Sequence, residues 1–297
     1  MRLTLFACPK PHTAGHVETI QRNAVTSWTL LPGSPEVILF GEGSVAGLAE
    51  ELGTRYSDGI DVTATGAPLL DSLFPVAEEL ASGDVLAYVN ADIILMRDFA
   101  QAAARIAARE RAFLMVGRRT DLGIVDRLDF GEGWEARLRD RALHEGRLHS
   151  HEAIDYFVFR RGLWGEIPPL AVGRASFDNW LVRRARDAGA AVVDATPSVL
   201  AIHQDHDYAH VSGGVDEVYS GPEADRNMEL AGGAEKLLFI HDATHVLTRP
   251  VLLPALAPRY LRHRWWRYSR TSPRVRLARR IILGLRLRLK RLFAKLS

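Results

Sequence analysis

The chain has 297 residues, 47% of them hydrophobic and 25% charged, which describes an ordinary globular protein with enough length for a large core. Its single cysteine, Cys8, excludes an internal disulfide and fits a reducing compartment. The net charge of +2 hides an asymmetry: 15 of the 38 Lys and Arg lie between Arg249 and Ser297, where there is no Asp or Glu. The other 248 residues keep 23 basic against 36 acidic side chains, a balance of −13.

The N-terminal MRLTLFACPK has too short an apolar run for a signal peptide, and no stretch reaches the apolar length of a spanning helix. Arg2 to Cys8 alternates and reads as a first strand before the Pro9-Lys10-Pro11 turn, and His16 to Trp28 as a helix with one apolar face. Glu36 to Phe40 is a second buried strand, ending at Gly41-Glu42-Gly43 where a helix over 45–52 begins. Asp61-Val62 is expected as a short third strand, and Leu69 to Ala81 as a helix. Then comes DVLAYVNADIIL, residues 84–95: an apolar run bounded by turn residues, as in a strand buried on both faces of a parallel sheet. Its polarity changes abruptly at Asn90-Ala91-Asp92. In open α/β sheets ligands bind at the carboxyl ends of strands, where a carboxylate can share a hard cation with a diphosphate.

Downstream, an Ala-rich helix over 99–109 leads to a strand over 112–116 and the polar run Gly117-Arg118-Arg119-Thr120-Asp121. A charged helix over 131–145, a strand over 154–160, a helix over 176–189 and short strands over 191–193 and 199–202 follow. The histidine-rich IHQDHDYAH comes next, then a Gly/Asp/Glu-rich segment expected to be irregular. Alternating β and α segments predict an α/β, doubly wound, mostly parallel sheet flanked by helices. A catalytic domain over 1–248 and a basic tail over 249–297 are the expected divisions. From Val275 onward, apolar residues at three- and four-residue steps form a stripe about 120° wide, with most arginines outside it. Trp265, Trp266 and Tyr268 among arginines suit a headgroup region. The tail is therefore expected to lie on an anionic membrane surface as an amphipathic helix. An acidic body repels phosphate backbones, so nucleic acid is not the expected partner, although a non-catalytic nucleic-acid-binding protein is a competing reading.

Three separated stretches, Asn90-Ala91-Asp92, Phe177-Asp178-Asn179-Trp180 and His203-Gln204-Asp205-His206, together resemble the core of GT-A glycosyltransferases of the family 2-like group. The resemblance covers Leu3 to His206. One departure stands out: the first position of the DxD-type motif is Asn90, so only Asp92 offers a carboxylate. The resemblance implies a transferase that moves a sugar from a nucleotide-sugar, UDP-linked by likeness, to a glycan or lipid-linked acceptor in cell-surface polysaccharide synthesis. It implies that Asp92 binds Mn2+ or Mg2+ with the donor diphosphate, and that Asn90 contacts the ribose or sugar. Asp178 would be the base of an inverting displacement, ionised at neutral pH by its place at a helix N-terminus. His203 would be a further metal or phosphate contact, with His206 as its alternative. Pro9, Lys10, Gly41 and Glu42 would hold the base and ribose. Asp155, Trp180 and Arg118 are candidates for the acceptor side. Trp164 and Trp180 either stack on a sugar or pack in the core, and Arg118 and Arg119 either bind anions or are surface charge. A sugar nucleotidyltransferase shares the sheet architecture, but ACPKPHTAG is a poor version of its Gly-rich loop. The expected location is cytoplasmic, peripheral on the inner face of the cell membrane.

Overall fold

The computed structural model describes residues 1–11, 15–204, 218–249 and 251–271. Two compact units divide the chain, Met1–Pro254 and Ala255–Ser297. The expected boundary after residue 248 falls between the last two strands of the first unit.

In the first unit, strands and helices alternate from the start: β1 (Leu3–Ala7), α1 (His16–Thr29), β2 (Glu36–Phe40), α2 (Ser44–Glu51), β3 (Arg55–Ser57), α3 (Leu70–Leu80) and β4 (Val85–Val89). The middle of the chain carries β5 (Ile93–Ile94), α4 (Arg97–Ala107), β6 (Phe113–Val116), β7 (Arg119–Leu122), α5 (Trp134–Glu145), β8 (Arg147–Leu148) and β9 (Tyr156–Arg160). Then come α6 (Phe177–Asp187), β10 (Ala191–Asp194), β11 (Ala201–Gln204), α7 (Pro222–Leu230), β12 (His245–Leu247) and β13 (Leu252–Pro254). Among the described residues these strands form a nine-stranded sheet, β13-β12-β10-β6-β9-β4-β1-β2-β3, and a four-stranded one, β5-β11-β7-β8. In the large sheet β9 runs antiparallel between β4 and β6, and β13 antiparallel to β12; the other pairings are parallel. This is the doubly wound, mostly parallel architecture, flanked by helices, that the GT-A resemblance implied.

The strands read as unbroken apolar runs because both faces are covered. Leu3, Leu5 and Ala7 of β1, with Val85, Ala87 and Val89 of β4, enter one core with α1 and α4. The intervening Phe6, Leu86 and Tyr88 enter the other with α3 and α6. Burying each such side chain contributes about 1.5–3 kcal/mol. The second core has an aromatic centre: Phe74 stacks on Phe159 at 5.5 Å and meets Phe6 edge-on at 5.2 Å. Trp164 lies there as well, 4.9 Å from Phe159 and 2% exposed, so it packs in the core.

The third strand is corrected. It is Arg55–Ser57, parallel to β2, while Val62 makes only an isolated bridge to Pro68. Gly53, at φ 64, turns the chain out of α2 and straight into this edge position. An edge strand with exposed residues carries no apolar run to announce it.

In the second unit, α8 (Pro258–Thr271) is the described element. No helix among the described residues is long and apolar enough to cross a membrane. The stripe expected from Val275 onward, His206 and His210 all lie outside the described residues.

Candidate active site

The small sheet assembles the site. β5 follows Asp92 directly, and its Ile93 is the antiparallel partner of His203 on β11. On the other side β11 runs parallel to β7, with His203 paired to Asp121. These two pairings bring three side chains far apart in sequence to one place. His203 Nε2 lies 3.7 Å from Asp92 Oδ2, and His203 Nδ1 lies 3.4 Å from Asp121 Oδ1. The Asp92 backbone is pinned too, its carbonyl accepting from the Gln204 N–H at 3.3 Å and from Gln204 Nε2 at 3.1 Å. Gln204 is fully buried, and its Oε1 accepts from Asn23 of α1 at 2.9 Å.

Asp121 is the hub. Its carboxylate is met by Arg119 Nε at 3.0 Å and His149 Nδ1 at 2.7 Å. Burial pushes its pKa up, but the His149 hydrogen bond and the charges of Arg119, His149 and His203 outweigh that and hold it below the usual range. Arg119 bridges onward to Asp155 Oδ1 at 2.8 Å, which also accepts from Asn90 Nδ2 at 3.0 Å. Burial disfavours the guanidinium charge, yet Asp155, Asp92 and Asp121 together raise its pKa above the ordinary value. The other oxygen of Asp155, Oδ2, is buried without a hydrogen-bond partner among the described residues.

Asp178 stands in the first turn of α6, after Ser176 in a left-handed geometry at φ 80 that serine rarely adopts. That turn sends Phe177 into the core against Tyr88 and Phe157. It leaves Asp178 half-buried and within electrostatic reach of Asp155. Its carboxyl is pushed up to about 7, first by loss of water and then by the Asp155 charge, against the pull of the Asn179 and Asp178 backbone N–H groups. The helix N-terminus alone favoured full ionisation at neutral pH; desolvation and the like charge win, and the group is half-protonated there.

The remaining expected residues separate into two groups. Lys10, after β1, feels Asp92 and Arg174; the surrounding protein lowers its pKa, Asp92 opposes this and Arg174 adds to it. Gly41 has φ 146, and a Cβ there would sit 3.5 Å from the Pro9 carbonyl oxygen and 3.1 Å from Val45 Cγ2. The ends of β1 and β2 therefore close on each other only with glycine at this point. Glu42 is exposed beside it. By contrast, Arg118 Nε donates to the His149 carbonyl at 2.6 Å, fastening the segment that follows β8. Trp180 is half-buried against the second core.

The sequence reading missed Asp121 and His149 altogether. No local pattern announced Asp121: Arg119-Thr120-Asp121 is a polar run without strand alternation, and it becomes β7 only by pairing with β11 and β8. Chemically, the donor set of Asp92 and His203 fits a divalent cation. It joins a carboxylate oxygen to an imidazole nitrogen, with a second carboxylate behind the ring as in carboxylate–histidine–metal arrangements.

No family model matches the chain, and no curated protein does. Among solved structures it is similar to S. aureus TarS 1-349 in complex with UDP-GlcNAc, with a TM-score of 0.47, 13% identity, and coverage of 78% of this chain and 65% of that one. The TarS structure in complex with UDP matches over 41% of this chain and 36% of its own, at 15% identity and a TM-score of 0.30. Glucosyl-3-phosphoglycerate synthase from Mycobacterium tuberculosis, in complex with Mn2+, UDP and phosphoglyceric acid, gives a TM-score of 0.46 at 13% identity, covering 78% of this chain and 79% of that one.

Proposed function

We propose that this protein transfers a sugar from a uridine-diphosphate-linked donor to a hydroxyl of a glycan or lipid-linked acceptor, with inversion at the anomeric carbon. The observation that carries this reading is the meeting of Asp92, His203 and Asp121 at the strand ends, with Asp178 held apart as an acid–base group. Asp92 and His203 would hold a divalent cation, which would supply Lewis-acid stabilisation of the departing diphosphate. Manganese suits this pair better than magnesium, which prefers oxygen ligands. Lys10 adds a positive charge next to Asp92 for the same phosphates. Asp178, with its carboxyl at about 7, takes the proton of the acceptor hydroxyl as that oxygen bonds to the anomeric carbon and the bond to the diphosphate breaks. Asn90 and Arg119 keep Asp155 in place, and Asp155 in turn keeps Asp178 from ionising too easily.

The test is thermal stabilisation by uridine diphosphate with manganese, coupled to release of uridine diphosphate from a panel of UDP-sugars. Asp92→Ala is expected to abolish the manganese-dependent stabilisation while leaving the melting temperature without ligand unchanged. An Asp92→Ala protein that bound nucleotide and manganese like the parent would sink the assignment.

We also infer a peripheral place on the inner face of the cell membrane. Five large apolar side chains in and beside α8 are exposed, including Trp265 at 65% and Tyr268 at 54%. The charges from Ala255 to Thr271 are all basic. Exposed indoles among arginines suit the headgroup level of an anionic bilayer, and each arginine near it contributes about 1 kcal/mol.

A further inference from the structure

A cavity of about 700 Å³ opens between α4 and α5, and it shares no residue with the strand-end site. Arg97, Arg105, Arg139 and Arg249 line it, together with Asp98 and Glu135. The two carboxylates are already engaged. Arg97 Nε donates to Glu135 at 2.7 Å; Asp98 accepts from Arg139 at 2.9 Å and from the Leu200 N–H at 3.2 Å, with Arg249 3.7 Å away. Four guanidiniums against two carboxylates leave an excess of two positive charges. Arg105 is exposed and has no ion-pair partner among the described residues. The first turn of the 12-residue α5 also faces the cavity, through Gly133 to Ala136, and adds the positive end of a helix dipole. Trp134 stands in the same wall, its ring 4.9 Å from that of Phe130.

A stable surface does not gather uncompensated guanidiniums around a concavity of ligand size without electrostatic cost. Guanidinium forks match phosphate oxygens two at a time, which an ammonium cannot do. We propose that this cavity is an anion-binding site for a phosphate-bearing ligand of at least two negative charges, separate from the site of glycosyl transfer. The ligand's phosphate bonds to Arg105 and Arg249, while Arg97 and Arg139 stay with their carboxylates and shape the walls. A soluble organic phosphate and a lipid headgroup offer the same chemistry here.

The experiment is calorimetric titration of the full chain with inorganic pyrophosphate in the presence of EDTA. The parent and Asp92→Ala are expected to bind alike, because the cation site is not used. The double variant Arg105→Ala/Arg249→Ala is expected to bind about tenfold more weakly or worse, as the loss of two charge-assisted contacts demands. Both side chains are exposed, and an unchanged melting temperature verifies the fold of the variant. Phosphatidic acid vesicles, whose phosphomonoester headgroup can carry two negative charges, assign the phosphate to a headgroup if they displace pyrophosphate and to a soluble ligand if they leave it bound; either result stands with the site. No pyrophosphate binding by the parent, equal binding by the double arginine variant, or loss of binding in Asp92→Ala overturns the proposal.

Discussion

Asp178→Asn separates catalysis from stability and tests the site most sharply. The native carboxyl titrates at about 7 rather than its ordinary 3.8, so between those pH values the folded chain holds a proton that the unfolded chain has lost. This group's stabilisation is therefore complete below about pH 4 and disappears as pH rises through about 7. The full difference corresponds to about 4 kcal/mol. Asp178 is only half-buried, and solvent screening reduces this to about 2 kcal/mol. Asparagine carries no charge to desolvate, so the variant should match the parent near pH 4. At pH 8 it should melt about 4–8 °C higher. Its turnover should fall by at least about 10²-fold with donor binding unchanged. In the parent, turnover should rise about tenfold between pH 6 and pH 8, following ionisation of a group at about 7. Thermal denaturation at the three pH values, with uridine diphosphate release in parallel, measures all of this. A flat turnover profile from pH 6 to pH 8, or an Asp178→Asn stability difference that ignores pH, would refute the reasoning.

Further outcomes follow from the same geometry. Arg119→Met strands Asp121 and Asp155, each with a side chain 6% exposed, and should cost about 3–5 kcal/mol in denaturant unfolding at pH 7. The loss should shrink in acid as Asp121, held below the usual range in the parent, takes up its proton. Gly41→Val, at φ 146 with Val45 already in contact, should destabilise by about 1–3 kcal/mol and weaken nucleotide binding. A Gly41→Val protein with the parent's melting temperature would show that the β1 and β2 ends can yield. Trp265→Ala/Trp266→Ala should lower partitioning onto phosphatidylglycerol vesicles by about tenfold in a sedimentation assay. Uridine diphosphate binding should stay the same in that variant.

The amino-acid sequence by itself determined the elements whose signal is local. β1, β2 and β4 are apolar runs because the sheet is covered on both faces, and α1 and α6 show their buried stripe at helical spacing. Asp92 was legible for the same reason: a polar residue that ends a buried strand needs no distant partner to be noticed. The sequence also placed Asp178 at a helix start, but only the neighbouring Asp155 and the loss of water around it decided its protonation. The direction of β9, the edge strand at Arg55–Ser57 and the whole four-stranded sheet were decided by tertiary structure. Direction and edge position depend on which strand lies alongside, and nothing within five residues records that. Asp121 illustrates the limit. It sits 82 residues from His203, and the parallel register of β7 with β11 makes the pair. A buried carboxylate is tolerated only where donors and positive charge surround it; Arg119 lies two residues away, but His149 reaches Asp121 across 28 residues only after the chain has folded.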